Sequence, residues 1–241
     1  MKLEGKRALV TGGTRGIGAA IAVALNEAGA TVIVCGSSEE SVAGFAATNG
    51  IRAVCCDLSE PAEIESLAAA VDTRLGGLDI LVNCAGVQRS MNLVEDRSVD
   101  VELEVQVNLL APMRVTAALL PRLLAAPRAA VVNVTSIMAL TPTQRAPVYG
   151  ATKAGLASWT KSLRWQLESR GVLVMELVPP LVATQMTAGR QQGAIDPREV
   201  AVACIDGLVR ERPDVRVGKA KTVHLLERFA PGLVARLVRH R

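Results

Sequence analysis

Seven short apolar runs, rich in β-branched residues and separated by stretches of helical period, constrain this chain more than any other feature. Ala8–Val10, Thr31–Cys35, Ala53–Cys56, Ile80–Val82, Ala130–Val134, Leu173–Val178 and Val215–Val217 read as strands. Helical segments are predicted at about 16–29, 39–48, 60–75, 98–125, 147–169 and 197–211. A strand that is apolar at nearly every position must be covered on both faces, and strand–helix alternation supplies the cover. The pattern predicts a single doubly wound α/β domain over residues 1–222, with a seven-stranded parallel sheet and helices on both faces. Residues 180–197 hold Pro180, Gly189, Gly193 and Pro197 and show no clear period. A loop of that length inside a compact domain reads as a substrate lid.

Composition narrows the function classes. Apolar runs such as Ala117–Leu120 and Leu123–Ala126 are cut by Pro121, Arg122, Pro127 and Arg128, short of the ~18–20 residues a membrane span needs. The N-terminus carries no apolar signal region, so a soluble cytoplasmic chain is expected. His224 and His240 are the only histidines. Neither they nor the five cysteines have metal-ligand spacing, so no metal site is expected, and Cys35, Cys55, Cys56, Cys84 and Cys204 read as core or near-core thiols. Residues 1–189 carry 16 basic and 17 acidic side chains, whereas residues 190–241 carry 11 and 6. The net charge of +4 therefore reports a basic tail. With five aromatic residues there is no stacking platform for nucleic acid.

The first strand runs into Thr11-Gly12-Gly13-Thr14-Arg15-Gly16-Ile17-Gly18, and a helical pattern follows. Glycines at a strand-to-helix turn let backbone N–H groups approach a pyrophosphate at the positive end of the helix. The TGxxxGxG spacing resembles that of the short-chain dehydrogenase/reductase family, and the resemblance recurs along almost the whole chain. Asn83-Cys84-Ala85-Gly86 resembles the family's NNAG motif, with Cys84 in place of the second Asn. Asn108 falls on the family's helical asparagine. Ser136 follows the fifth strand, and Tyr149-Gly150-Ala151-Thr152-Lys153 is similar to YxxxK, with the family's gaps of 13 and 4 residues. Pro179-Pro180-Leu181-Val182-Ala183-Thr184 resembles PGxVxT, with Pro180 in place of Gly. Val87-Gln88-Arg89, Leu163–Leu167 and Pro179-Pro180 look most like the DltE-like oxidoreductase branch.

The resemblance implies a Rossmann fold and a nicotinamide cofactor. It implies a cofactor site of Gly12, Thr14, Arg15, Gly16, Ile17, Gly18, Ser37, Asp57, Leu58, Asn83, Ala85, Gly86, Tyr149, Lys153, Pro179, Val182 and Thr184, with Asp57 at the adenine amino group. Catalysis is expected from Asn108, Ser136, Tyr149 and Lys153. Residues four apart share a helix face, so Tyr149 and Lys153 can act on one ligand. A nearby ammonium is expected to lower the affinity of the phenol for its proton, letting Tyr149 exchange a proton with a carbonyl or alcohol oxygen. Lys153 would hold the ribose hydroxyls, Ser136 the substrate oxygen, and Asn108 a water leading to Lys153. The expected activity is reduction of a ketone or oxidation of a secondary alcohol. The alternatives are a 3-oxoacyl-carrier-protein-type reductase and a dinucleotide-binding regulator without turnover.

At the end of the second strand, Val34-Cys35-Gly36-Ser37-Ser38 has no acid for a ribose 2′-OH until Glu39. Ser37 and Arg15 can meet a 2′-phosphate, which favours NADP(H) over NAD(H). Val87, Gln88, Met138, Leu140, Leu181 and Met186 are expected to line an apolar substrate pocket. Leu156, Trp159, Leu163 and Leu167, beside Val105, Leu109 and Leu119, read as an apolar surplus for a homodimer or homotetramer. The tail 223–241 is expected to form two short helices split at Pro231-Gly232. They pack on the body or on a second subunit, in preference to a membrane surface or an acidic carrier protein.

Overall fold

The computed structural model describes residues 1–95 and 100–238. The expected helix start near residue 98, and Arg239, His240 and Arg241 of the tail, lie outside the described residues. The strands are β1 (Arg7–Thr11), β2 (Thr31–Gly36), β3 (Arg52–Cys55), β4 (Ile80–Asn83), β5 (Ala129–Val134), β6 (Val172–Val178) and β7 (Asp214–Arg216). They form one sheet in the order β3-β2-β1-β4-β5-β6-β7, and every pairing is parallel. The order reverses between β1 and β4. A crevice therefore opens beyond the carboxyl ends of those two strands, where the glycine-rich turn and the Asn83–Gly86 segment both lie.

Each face of the sheet has its own core. On one face Ile21, Ala22 and Leu25 of α1 (Gly16–Glu27) and Val200, Ala201, Cys204 and Leu208 of α7 (Pro197–Val209) bury against alternate strand residues. On the other, Ile64, Leu67 and Val71 of α3 (Pro61–Leu75), Ala111, Val115, Leu119 and Leu123 of α5 (Ala111–Ala125), and Leu163 and Leu167 of α6 (Pro147–Leu167) do the same. Fully burying side chains of this size stabilises the fold by about 1.5–3 kcal/mol each before ordering costs. Between β2 and β3, α2 (Glu39–Asn49) starts at Ser38, whose side chain accepts from the Ser41 amide, and stops at Gly50 in a left-handed conformation.

Three expectations change. The segment from residue 102 to 125 is α4 (Glu102–Val105), a π-helical turn (Gln106–Leu110) and α5. Length and composition alone would let this composite helix cross a membrane, but the stripe Ala111, Val115, Leu119 and Leu123 is spent on the sheet. Leu119, Leu156, Leu163 and Leu167 are buried within the subunit, so they form the sheet-facing stripe and not a surplus for a partner. The large apolar side chain that α6 leaves outside is Trp165, 72% exposed. Finally, the tail forms α8 (Lys219–Phe229) and α9 (Pro231–Val238), with α8 starting before residue 223. Helix α8 touches the turn at Ile137–Ala139, yet Leu225 and Phe229 remain 59% and 75% exposed. Those two side chains do not cover a groove on the body.

Candidate active site

At the turn after β1, Gly12 has φ +61°, and a Cβ there would stand 2.7 Å from Ala85 Cα. A Cβ on Gly18 would sit 2.2 Å from the Gly12 carbonyl oxygen. Glycine is therefore required where the loop crosses the β4 end and where α1 turns back under it. Arg15 occupies the N-cap of α1, and its Nη1 donates to Gln185 Oε1 at 2.9 Å. The amides of Cys84 and Ala85 donate to Thr11 Oγ1 at 3.0 and 3.2 Å, which ties the β4 end to the β1 end. Thr11 heads the glycine-rich motif, and a polar residue closing an otherwise apolar strand is the sequence signal of this tie.

Helix α6 carries Tyr149 and Lys153 to the ends of β4 and β5. Lys153 is buried, and its Nζ donates to the Val134 carbonyl at 2.9 Å. The ammonium stands 5.7 Å from the Tyr149 ring centroid. Burial pulls the lysine down to about 8. Tyr149 moves opposite to expectation: burial of its hydroxyl pushes it up to about 12, and the neighbouring Ser136 hydroxyl offsets this only in part. The charge of Glu104 also works against the phenolate. The phenol is therefore held protonated at neutral pH. Ser136 lies two residues past β5 and caps the turn Ile137–Ala139, its Oγ accepting from the Met138 amide at 3.1 Å. Cys84, the departure from NNAG, is kept neutral by burial, which pushes its thiol up to about 12.

Asn108 is fully buried in the π-helical turn. Its Oδ1 accepts from the Val87 amide and its Nδ2 donates to the Val87 carbonyl, both at 2.8 Å. The side chain thus clamps the Gly86–Arg89 segment, and any route to a water falls to the main-chain carbonyl. The residue four positions on is Pro112, which has no N–H, so that carbonyl lacks its α-helical donor. The Asn83 side chain is turned away from the crevice. Its Nδ2 donates to Thr116 Oγ1 at 3.1 Å and to Asn133 Oδ1 at 2.8 Å, and Asn133 Nδ2 donates to Thr160 Oγ1 at 2.9 Å. This buried polar line links α5, β4, β5 and α6. It fixes the helix that carries Tyr149 and Lys153 relative to the strand that leads to Gly86.

The remaining expected contacts gather at the same edge. Ser37 is exposed beyond β2, and Asp57 lies two residues past β3, its Oδ1 accepting from the amide and hydroxyl of Ser59. Leu58 is buried in the core, leaving its main chain for any ligand. Thr14, Ile17, Ala85 and Gly86 are half-buried around the crevice. In the segment 180–197, Ala183 and Ile195 pair through the amide of Ala183 and the Ile195 carbonyl at 2.9 Å. Thr187 Oγ1 donates to the Val182 carbonyl at 2.6 Å. These bonds hold Thr184 against Gly16. The Pro179 carbonyl accepts from the Ile137 amide. Val87, Gln88, Met138, Leu140 and Leu181 are half-buried around the opening, and Met186 is exposed. Among the described residues, no group of three His, Cys, Asp or Glu is placed to hold a metal ion.

Comparison with known proteins agrees with this geometry. Residues 6–194 match the family model described as short chain dehydrogenase. An uncharacterized oxidoreductase, DltE, from Bacillus subtilis is 34% identical over 225 residues, covering 89% of each chain. The 3-oxoacyl-[acyl-carrier-protein] reductase FabG of Vibrio cholerae is 34% identical over 219 residues, 84% of this chain and 89% of that one. A Burkholderia phymatum short chain dehydrogenase/reductase, solved in complex with NAD, superposes with a TM-score of 0.89 over 100% of this chain and 98% of that one, at 20% identity. With the strand order, the crevice and the Ser136–Tyr149–Lys153 cluster in place, these matches show that the chain belongs to the short-chain dehydrogenase/reductase family of oxidoreductases.

Proposed function

We propose that this protein is an NADP(H)-dependent carbonyl reductase or alcohol dehydrogenase acting on a ketone or secondary alcohol. The observation that carries the reading is the convergence of Tyr149, Lys153, Ser136 and the Asn108 turn on one crevice lined by half-buried apolar side chains. A regulator without turnover has no need of all four. A bound nicotinamide dinucleotide supplies or takes up the hydride. Tyr149, protonated at neutral pH, donates its hydroxyl proton to the developing alkoxide. Ser136 donates a hydrogen bond to the same oxygen. Lys153, with its pKa brought down to about 8, can pass a proton on and take one back at modest cost. The Asn108 carbonyl is the acceptor that can hold a water on that route.

The loop glycines fit a pyrophosphate, since their backbone comes where no side chain could. NADP(H) is favoured at the end of β2. A Cβ on Gly36 would meet the Thr14 side chain at 2.6 Å, so an acid for a 2′-OH has little room there. Exposed Ser37 and Arg15 stand nearby to meet a 2′-phosphate. A 3-oxoacyl group on a carrier protein is the second reading, supported by the likeness to FabG and by exposed Lys219, Lys221 and Arg228 on α8. Subunits are proposed to pair as a cytoplasmic homodimer or homotetramer. Exposed Trp165, Ala151, Ala154 and Ser158 along α6 support such a face. A panel of ketones and secondary alcohols, followed at 340 nm with each cofactor, tests the function. NADPH-dependent turnover is expected, and no turnover with either cofactor across the panel overturns it.

A further inference from the structure

The basic charge of this chain is gathered at its end. Residues 219–241 hold Lys219, Lys221, Arg228, Arg236, Arg239 and Arg241 against one acid, Glu227. Helix α8 sets three of those cations around an apolar ridge. With about 100° between successive residues, Ala220, Val223, His224 and Glu227 share one face, and all four are buried or half-buried. Thr222, Leu225, Leu226 and Phe229 share the opposite face, where Leu225, Leu226 and Phe229 are 59%, 40% and 75% exposed. Lys221 and Arg228 run along one flank of this ridge and Lys219 stands on the other, all three exposed. The start of the helix is set against the crevice. Lys219 Nζ lies 3.5 Å from where a Gly193 Cβ would stand, and Pro180 Cγ lies 3.8 Å from where a Gly218 Cβ would stand. The helix also touches the Ile137–Ala139 turn, which carries Met138.

We propose that α8 docks this protein on the surface of an anionic phospholipid bilayer. Leu225, Leu226 and Phe229 enter the boundary between headgroups and acyl chains, while Lys219, Lys221 and Arg228 extend sideways to the headgroup phosphates. Each cation near such a surface adds to the attraction. A second copy of the chain fits this face poorly, because two-fold pairing would set Lys219, Lys221 and Arg228 against their own counterparts. An acidic protein would answer the cations, but it would also need a cleft shaped to Leu225 and Phe229. A bilayer answers both demands without a matching shape. Docking through the outer face of α8 puts the segments around Pro180 and Met138 about one helix diameter, 10–12 Å, from the lipid. The mouth of the proposed pocket then stands beside a phase that concentrates apolar ketones.

The test is flotation of the full chain with vesicles, which needs no turnover and so stands apart from the reductase reading. Phosphatidylcholine vesicles with and without about 30% phosphatidylglycerol are compared in about 0.05 and 0.5 M NaCl. At low salt the anionic vesicles are expected to bind at least about tenfold more protein than the neutral ones, and high salt should remove most of that excess. Leu225→Ser combined with Phe229→Ser should weaken binding to the anionic vesicles at least about tenfold, with Tm unchanged because both positions are exposed. Lys221→Gln combined with Arg228→Gln should shrink the preference for anionic over neutral vesicles several-fold. Absence of binding to anionic vesicles at low salt overturns the proposal. Binding that the serine pair leaves intact does so too, since it is then attraction to charge alone and not insertion of the ridge. Holo-acyl carrier protein and light scattering identify the other occupants. If vesicles are ignored while the carrier protein binds through Lys221 and Arg228, the face belongs to an acidic protein. If vesicles are ignored while the serine pair lowers the oligomer mass, it belongs to a second copy.

Discussion

Replacing Lys153 by methionine should remove activity and yet leave the protein at least as stable. Lys153 is 3% exposed, and burial brings its pKa from the usual 10.5 to about 8. That difference corresponds to about 3 kcal/mol by which the fold disfavours the ammonium at neutral pH. Methionine keeps the length and the packing of the stem but carries no charge. The loss is the bond from Nζ to the Val134 carbonyl, and a buried carbonyl without its donor costs about 1–3 kcal/mol. The balance is a gain of about 0–2 kcal/mol at pH 7, a rise in Tm of up to about 8 °C for a domain of this size. Between pH 8 and 10.5 the unfolded chain binds more protons at this lysine than the folded one does, so the stability of the unmodified protein rises with pH through that window. The advantage of Lys153→Met should therefore be full below pH 8 and shrink above it. Tyr149, up from the usual 10 to about 12, acts with the opposite sign, but only above pH 10. Calorimetric Tm values at about pH 7 and about pH 9.5 read both effects. A variant that melts several degrees below the unmodified protein at pH 7 would refute the reasoning and make the lysine a structural residue.

Tyr149→Phe should lower kcat by about 10²–10⁴-fold, the range for a positioned proton donor, with NADPH affinity measured by fluorescence little changed; retention of more than a few per cent of kcat removes Tyr149 from the role. Arg15→Ala combined with Ser37→Asp should turn a preference for NADPH into one for NADH, because a carboxylate accepts from a 2′-OH and repels a 2′-phosphate; tighter NADH binding by the unmodified protein contradicts the assignment. Gly12→Ala forces a side chain onto Ala85 at a positive φ and should cost about 2–4 kcal/mol, visible as a lower denaturant midpoint. Light scattering at micromolar concentration should give a dimer or tetramer mass, and a monomer mass rules the α6 face out as a stable interface.

Much of this molecule is legible in its sequence because parallel sheets demand strands that are apolar on both faces. All seven strands lie within one or two residues of the apolar runs that announce them, and turn glycines such as Gly12 and Gly18 are forced by contacts local to one β–α unit. The quartet proposed for catalysis, Asn108, Ser136, Tyr149 and Lys153, is legible through its spacing. What the sequence hides is whatever depends on distant neighbours. Leu163 and Leu167 look like surplus on a long helix until β5, β6 and the flanking helices enclose them. The direction of the Tyr149 shift is hidden because a lysine four residues away is visible, whereas the burial that outweighs it is not. Glu104 reads as one more polar residue on a helix, and Asn83 as a cofactor contact, until their partners are in place. The exposure of Leu225 and Phe229 was unforeseeable for the converse reason: an apolar period says that a face is greasy, not that the parent domain has room for it.

The buried line from Thr116 through Asn83 and Asn133 to Thr160 has a bearing on how this protein can vary. Asn83 and Asn133 stand directly opposite each other in the β4–β5 ladder. Sliding either strand by one residue would turn that strand's amide to the wrong face, part the two asparagines and strand the threonine that the amide had held. An apolar ladder of valines and leucines tolerates such a slip far better, because one aliphatic side chain replaces another at small loss. The four residues thus act as a keyway, accepting one alignment of the two halves of the sheet and penalising every near miss. The walls of the proposed substrate pocket, on the segments after β4 and β6, hang outside this lock. They can change length and composition while the distance from Tyr149 to the end of β4 stays the same.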